Sequence, residues 1–196
     1  MAESQDKRKY GNPVKRLFID RFMRRVEREL HALDVRTILD IGCGEGYFIE
    51  YLSDRMNVAV TGVDIDPAKI EAARRKAPQH TFVCADLFSA DLAYEQAGLL
   101  LAMEVLEHLD DPKRALRRIT QLAPAAILTV PHEPFFSIAS FLGGNYIKTM
   151  GRHPDHVNAW SPTTLRTLLT PYYRSIEVQR SFPWIIAICR QPIQQG

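Results

Sequence analysis

The N-terminal part of the chain carries apolar residues at helical spacing. Pro13 suits the first turn of a helix, where no backbone donor is needed. Arginine and glutamate separate the apolar positions, which are Val14, Leu17, Phe18, Phe22, Val26, Leu30 and Leu33. This spacing predicts one amphipathic helix over residues 13–34, preceded by a flexible tail over residues 1–12.

From residue 37 onwards, short apolar runs alternate with helical stretches. The runs of strand length are Thr37–Ile41, Val58–Val63, Thr81–Cys84, Leu99–Met103 and Ala126–Val130. The helical stretches between them are Tyr47–Ser53, Ala68–Lys76 and Pro112–Leu122. Strands that are almost wholly apolar and alternate with helices predict a mostly parallel sheet with helices on both faces.

The C-terminal end of the chain departs from this alternation. Ser161 and Pro162 are typical of a helix start, and the helix is predicted to continue through Leu169. Two strands are predicted next, Ser175–Arg180 and Trp184–Cys189, and the short connection between them requires an antiparallel hairpin. Residues 132–160 form a long irregular stretch, a feature that is often functional.

Composition places few limits on function. A chain of 196 residues fits a single domain, predicted over residues 13–196, and a formal net charge of +2 favours no class of partner. The three cysteines, Cys43, Cys84 and Cys189, lie far apart, which predicts reduced thiols in the cytoplasm. No signal peptide or transmembrane segment is evident, so we expect a soluble protein. No feature predicts its oligomeric state.

Charge is concentrated at the N-terminus. Residues 1–30 contain nine Lys and Arg against five Asp and Glu. A basic end can attract phosphate or a membrane surface, although such a run is more often a solvated helix face.

A glycine-rich turn follows the first predicted strand, in the run Ile38–Gly46. Glycine suits a sharp turn that a ligand approaches closely. Asp64 lies 18 residues past Gly46 at the end of the second strand, where a carboxylate can bind the two hydroxyls of a ribose. Asp86, which we place at the end of the third strand, is expected to meet the exocyclic amine of an adenine.

Two cofactors contain the ribose and adenine that this pattern predicts. The NAD fingerprint requires glycine at position 47, where this chain has Tyr47. Asp40 precedes the first glycine by two residues, where it would repel a pyrophosphate. S-adenosylmethionine (SAM) carries a positive ammonium and a positive sulfonium, so charge and spacing both favour SAM.

The segments LDIGCGEG, VDIDP, ADLF and MEVLEHLDDP resemble successive motifs of class I SAM-dependent methyltransferases, over about residues 36–131. The resemblance implies a Rossmann-like, seven-stranded sheet with SAM across the carboxyl ends of the first strands. It implies that Asp40 and Gly42 face the methionine moiety, Asp64 the ribose, Ile65 the adenine face and Asp86 the adenine edge. The remaining cofactor-binding positions are Cys43, Gly44, Gly46, Leu87 and Met103.

Glu104, Glu107 and His108 follow the fourth strand, and a helix there would put all three on one face. The E-x-x-E-H pattern with a later D-H-x-x-x-W resembles the metal site of small-RNA terminal 2′-O-methyltransferases. Its first half also resembles ubiquinone-pathway O-methyltransferases. The former resemblance implies a divalent cation on Glu104, Glu107, His108 and His156. Class I methyltransferases without a metal also carry V-L-E-H-L, and there the Glu and His only shape the pocket. A further alternative is that His108 acts as a base without a metal. Our catalytic candidates are His108, Glu104 and His132.

Aromatic residues are frequent in the long irregular stretch; they are Phe135, Phe136, Phe141, Tyr146 and Trp160. They are expected either to form an apolar acceptor pocket or lid, or simply to cover the sheet edge.

The function that we predict is methyl transfer from SAM to a small-molecule acceptor, more readily to oxygen than to nitrogen. RNA is a second acceptor class, which would use the basic helix from Lys15 to Arg28. A non-catalytic SAM-binding scaffold is the non-enzyme alternative, and an NAD oxidoreductase is the least favoured reading.

Overall fold

A computed structural model of the chain describes residues 13–89, 97–132 and 158–193. The predicted tail and most of the stretch 132–160 lie outside these ranges and stay predictions. The helices are α1 Pro13–Ala32, α2 Tyr47–Ser53, α3 Pro67–Lys76, α4 Pro112–Leu122 and α5 Pro162–Leu169. The strands are β1 Thr37–Ile41, β2 Ala59–Asp64, β3 Thr81–Cys84, β4 Leu99–Met103, β5 Ala125–Pro131, β6 Tyr173–Ser181 and β7 Trp184–Pro192.

The seven strands form one sheet in the order β3-β2-β1-β4-β5-β7-β6. The first five in this order are parallel, and β7 runs antiparallel to both β5 and β6. The predicted Rossmann-like sheet with an antiparallel C-terminal hairpin is therefore confirmed. Strand order reverses between β1 and β4, and ligands of such sheets bind at this switch point, beyond the carboxyl ends of the strands.

Two apolar cores sandwich the sheet, which confirms helices on both faces. On one side α1, α2 and α3 pack through Val26, Leu30, Ile49, Leu52 and Ile70. On the other side α4 and α5 pack through Leu116, Ile119, Leu165 and Leu169. Neighbouring residues of the central strands alternate between the two cores, which explains why these strands are apolar throughout.

Local signals in the sequence set the starts of three helices. Asp66 caps α3 by accepting hydrogen bonds from the backbone of Ala68 and Lys69, and Asp111 caps α4. Ser161 and Thr164 form a reciprocal capping box at the start of α5. Each cap is followed by proline in the first turn, so these helices begin at or within one residue of the predicted positions.

Several boundaries differ from the sequence prediction. Helix α1 ends at Ala32, two residues early, because the chain turns through Asp34, whose φ is 45°. The hairpin strands are longer than expected at both outer ends. Cys43, Cys84 and Cys189 are free thiols, as predicted. None of the helices in the described ranges combines the length and apolarity needed to cross a membrane.

Candidate cofactor and acceptor site

The glycine turn between β1 and α2 has a left-handed backbone at Gly42, Gly44 and Gly46. A Cβ atom added to Gly42 would lie 2.6 Å from Cγ2 of Val105, whereas one added to Gly44 would meet nothing within 4 Å. Gly42 is therefore required for packing against the segment after β4. Gly44 faces open space, which fits close approach of a ligand to the backbone.

Asp64 at the end of β2 is held by the backbone through both carboxylate oxygens. Its Oδ2 accepts the N–H of Gly44 at 2.9 Å, and its Oδ1 accepts the N–H of Asp66 at 2.9 Å. The residue is 8% exposed. A carboxylate oxygen accepts more than one hydrogen bond, so both oxygens can still receive a ribose hydroxyl in a fixed orientation.

Asp40 in β1 is buried, and its Oδ1 atom has no hydrogen-bond partner in the described part of the chain. Burial, and secondarily the charge of Asp64, raises the pKa of Asp40 to about 8. A buried carboxylate without a partner is costly unless a cation or a donor approaches it. This environment fits the positive methionine end of SAM and does not fit a pyrophosphate.

A pocket of about 460 Å³ opens between the ends of β1, β2, β3 and β4. Of the predicted site residues, those that line it are Gly42, Asp64, Ile65, Asp86, Leu87, Glu104 and His108. Ile65 is 68% exposed, which suits an apolar residue that covers an adenine face. The sequence prediction did not include Lys69, Phe88 and Val105, which also line the pocket. Two of them had a signal: Phe88 ends the ADLF segment, and Val105 begins V-L-E-H-L.

Five predicted cofactor residues are not part of the lining. Asp40 lies within the core, and Gly44 and Gly46 shape the turn. Cys43 and Met103 pack towards the α1–α3 core, and burial is the main cause that raises the pKa of the Cys43 thiol. A contact from Cys43 to a cofactor is therefore expected from its backbone.

Asp86 lies two residues beyond the end of β3, not within the strand. Its side chain is exposed, and Oδ1 accepts the N–H of Phe88 at 2.7 Å. The turn after β3 thus presents the carboxylate at the pocket.

The segment after β4 is not the regular helix that the Glu and His spacing predicted. Glu104 has a left-handed φ of 58°, and its N–H donates to Thr129 of β5 at 3.1 Å. Only Leu106–His108 is helical, as a short 3-10 turn. Glu107 is fully buried while His108 is exposed. The predicted single face is wrong, because Glu104 makes the chain leave the sheet in a conformation that a helix does not allow.

The carboxyl of the buried Glu107 interacts with that of Glu104, which is half-buried. Both Glu107 oxygens and Oε1 of Glu104 have no hydrogen-bond partner within the described residues. Burial raises the pKa of both groups, and the charge of Glu104 raises that of Glu107 further. The indole N–H of Trp184 donates to the Glu104 carboxyl and opposes the rise. The pair is therefore expected to hold a proton at neutral pH.

Asn158, near the C-terminal end of the long irregular stretch, holds residues 106–109 in place through hydrogen bonds. Its Nδ2 donates to the carbonyl oxygens of Leu109 at 2.7 Å and Leu106 at 3.3 Å, and its N–H donates to that of Glu107 at 3.2 Å. Sequence analysis missed this residue, although it stands in the HVNAW segment.

His132, the third catalytic candidate, directly follows β5 and is 8% exposed. Its N–H donates to Pro183 at 2.8 Å, and it forms a β-bridge with Trp160. It is not part of the pocket lining.

Residues 13–89, 97–132 and 158–193 contain no group of three or more His, Cys, Asp or Glu side chains arranged to hold a metal ion. His156, like Phe135, Phe136, Phe141 and Tyr146, lies outside these ranges, so the four-ligand site stays a prediction.

Comparisons with known proteins agree with this geometry. Residues 39–125 match a family described as a methyltransferase domain. A malonyl-[acyl-carrier protein] O-methyltransferase of Anoxybacillus flavithermus is 37% identical over 112 residues, which cover 52% of this chain and 42% of that protein. A ubiquinone biosynthesis O-methyltransferase of Coxiella burnetii is 29% identical over 57% of this chain and 45% of its own length. The chain spans less than half the length of these relatives.

Solved structures share the fold at low sequence identity. The methyltransferase domain of bacterial CtHen1-C superposes with a TM-score of 0.73 over 90% of this chain and 100% of that one, at 17% identity. The N-methyltransferase NodS from Bradyrhizobium japonicum, solved with S-adenosylhomocysteine (SAH), gives a TM-score of 0.68 over 98% and 94%, at 20% identity. The strand order, the glycine turn and the match over residues 39–125 are those of a class I SAM-dependent methyltransferase domain.

Proposed function

We propose that the chain transfers the methyl group of SAM to an oxygen atom of a small-molecule acceptor. The observation that carries this proposal is that Asp64 and Asp86 line one pocket whose other wall contains Glu104 and His108, while the buried Asp40 lies in β1, which ends at this pocket. O-methyltransferases among the relatives support an oxygen acceptor. When bound, SAM supplies a methyl group already activated by its sulfonium.

The cofactor side of the pocket orients this ligand. Asp64 is positioned to accept both ribose hydroxyls, because two backbone amides fix its carboxylate. Ile65 and Leu87 offer apolar contacts to the adenine, and the Asp86 carboxylate is available to its amine. Asp40 provides the negative charge for the amino acid end. Positioning of this kind is the main task in an in-line displacement.

The acceptor side has to remove a proton from a hydroxyl acceptor. His108 lines the pocket and is exposed, so an acceptor can reach its imidazole. Glu104 lies on the same wall, and its raised pKa makes it a stronger base once it is ionised. We assign proton removal to His108, with Glu104 as the second candidate base on the same wall.

The test is turnover with a panel of phenol, catechol and dicarboxylate acceptors, followed as SAH formation. His108→Gln is expected to reduce turnover about a hundredfold while SAH affinity stays unchanged. Asp110→Asn, a nearby exposed residue outside the pocket, is the matched control. SAH binding without turnover on any acceptor would instead favour the scaffold alternative.

A further inference from the structure

A second concave surface lies between α1 and the turn that joins β6 to β7. This groove has a volume of about 610 Å³. Its only acidic lining residue is Asp20, against five arginines: Arg21, Arg24, Arg25, Arg28 and Arg180. We call it the arginine groove.

Most of its positive charge is not neutralised by the protein. Arg25 is engaged, since it donates to Gln179 and forms an ion pair with Glu29 at 3.4 Å. In the described part of the chain, the other four arginine side chains form no hydrogen bond or ion pair. Like charges three or four residues apart on a helix are slightly destabilising. Folding alone therefore does not explain this arrangement on α1.

Apolar side chains adjoin the arginines. Leu17 is 66% exposed and Phe182 is 48% exposed, and both line the groove. Phe18 meets Phe182 edge-to-face, with 5.8 Å between ring centroids. A ligand that fills the groove would therefore combine a strongly anionic group with an apolar portion.

The groove lies at the acceptor edge of the sheet. Its hairpin turn leads into Trp184, which pairs with Pro131 at the carboxyl end of β5. The Trp184 ring packs on Phe22 of α1 at 4.6 Å between centroids, and its indole donates to Glu104. Trp184 thus contacts both α1, which carries the groove, and Glu104, which lines the cofactor pocket.

We infer that the arginine groove binds the phosphate group of an acceptor that is a phosphate ester with an apolar organic portion. The inference rests on the proposed function, since it names the class of its acceptor. Guanidinium groups form paired hydrogen bonds with phosphate oxygens, and several of them around one concavity suit a dianion better than a single carboxylate. The exposed Leu17 and Phe182 side chains account for the apolar portion.

The experiment titrates phenyl phosphate and inorganic phosphate into the full chain by calorimetry, at saturating SAH. We expect phenyl phosphate to bind more tightly than inorganic phosphate. The double variant Arg24→Gln/Arg28→Gln is expected to weaken phenyl phosphate binding about tenfold or more. Arg16→Gln, on the same helix but outside the groove, should change it less than about twofold.

The unfolding temperature of the double variant distinguishes a binding role of Arg24 and Arg28 from a structural one. The double variant is expected to unfold at the same temperature as the parent chain or a higher one, because it removes like-charge repulsion. Equal phenyl phosphate affinity in the parent chain and the double variant would overturn the inference. The titration is repeated without SAH, and phenyl phosphate binding that appears only without SAH would overturn the inference too, because the probe would then occupy the cofactor pocket.

Two further probes exclude other polyanions. A single-stranded RNA oligonucleotide and vesicles containing phosphatidylglycerol are tested against the same variants. Arginine-dependent binding to either one, without binding of phenyl phosphate, would overturn the small-acceptor inference. SAH binding is measured in a separate titration. If SAH does not bind, the proposed function is wrong, and the phosphate titration without SAH still tests the assignment of the arginine groove.

Discussion

The backbone N–H of Gly44 donates a hydrogen bond to Oδ2 of Asp64 at 2.9 Å. This bond joins the glycine turn after β1 to the carboxylate that ends β2. The same turn is tied to β2 by the N–H groups of Gly42 and Cys43, which donate to Val63 at 2.7 and 3.0 Å. The turn and the carboxylate therefore form one rigid unit before any ligand arrives.

Gly44 and Gly46 are expected to respond differently to replacement by alanine. Gly44→Ala should cost about 1 kcal/mol of unfolding free energy for its positive φ, and should weaken SAH binding about tenfold or more, because the methyl enters open ligand space. In Gly46→Ala the new methyl would lie 2.9 Å from Cβ of Ala73, so about 2–3 kcal/mol should be lost. Denaturant unfolding and calorimetry measure both effects. Equal SAH affinity in the Gly44 variant and the parent chain would contradict the assignment of this space to the cofactor.

Cofactor binding is expected to release a proton from Asp40. With a pKa of about 8, this group is mostly protonated at neutral pH, and a bound ammonium favours its ionised form. SAH affinity should therefore rise as pH increases towards 8 and then level off. Calorimetry at neutral pH in buffers of different ionisation enthalpy should show release of up to about one proton. Asp40→Asn should abolish this release, and an unchanged release would assign the proton to another group.

The buried Glu107 carboxyl is expected to reduce stability as pH rises. Burial and the charge of Glu104 raise the pKa of Glu107 in the folded chain. The protonated carboxyl therefore contributes its full stability below the usual glutamate pKa. This stability is lost as pH rises through the raised pKa. Glu107→Gln should unfold less readily than the parent chain in mildly alkaline buffer, by about 1–3 kcal/mol. Glu71→Gln, an exposed residue on α3 in surface ion pairs, is the control and should leave the pH dependence unchanged. If the unfolding free energy of the Glu107 variant changed with pH in the same way as that of the parent chain, the assignment would be contradicted.

Asn158 is expected to hold the segment after β4 in place. Asn158→Ala removes two side-chain hydrogen bonds to Leu106 and Leu109, and should cost about 1–2 kcal/mol of unfolding free energy. Amide hydrogen exchange should accelerate over residues 106–109, while SAH affinity should change little. The exposed Asn57→Ala is the control. Unchanged exchange over these residues would contradict the role of Asn158.

The sequence predicted the sheet well because its strands are apolar on both faces. The bounds of β1, β3 and β4 are those of the apolar runs, and α2, α4 and α5 also begin and end where predicted. Edge strand β6 was harder to delimit, since its residues are only partly buried and their pattern is weak. Parallel strands bring their carboxyl ends to one edge, so Asp64 and Asp86 line the same pocket.

The acceptor side was less predictable because long-range contacts shape it. Glutamate at position 104 gives no local signal for a positive φ; the conformation accompanies a hydrogen bond to Thr129 on the neighbouring strand. Asn158 reaches carbonyl groups 49 and 52 residues away in sequence. The arginine groove likewise combines α1 with a hairpin from the other end of the chain, so the basic run alone did not reveal a concave surface.

We propose that the pocket lined by Asp64 binds SAM, and SAH titration by calorimetry tests this assignment most directly. We expect micromolar binding to the parent chain, and a loss of about a hundredfold in Asp64→Asn, whose amide cannot accept on both sides. Asp111→Asn, at the cap of α4, is the matched control and should bind SAH normally. Equal SAH affinity in Asp64→Asn and the parent chain, or no binding to the parent chain, would contradict the account.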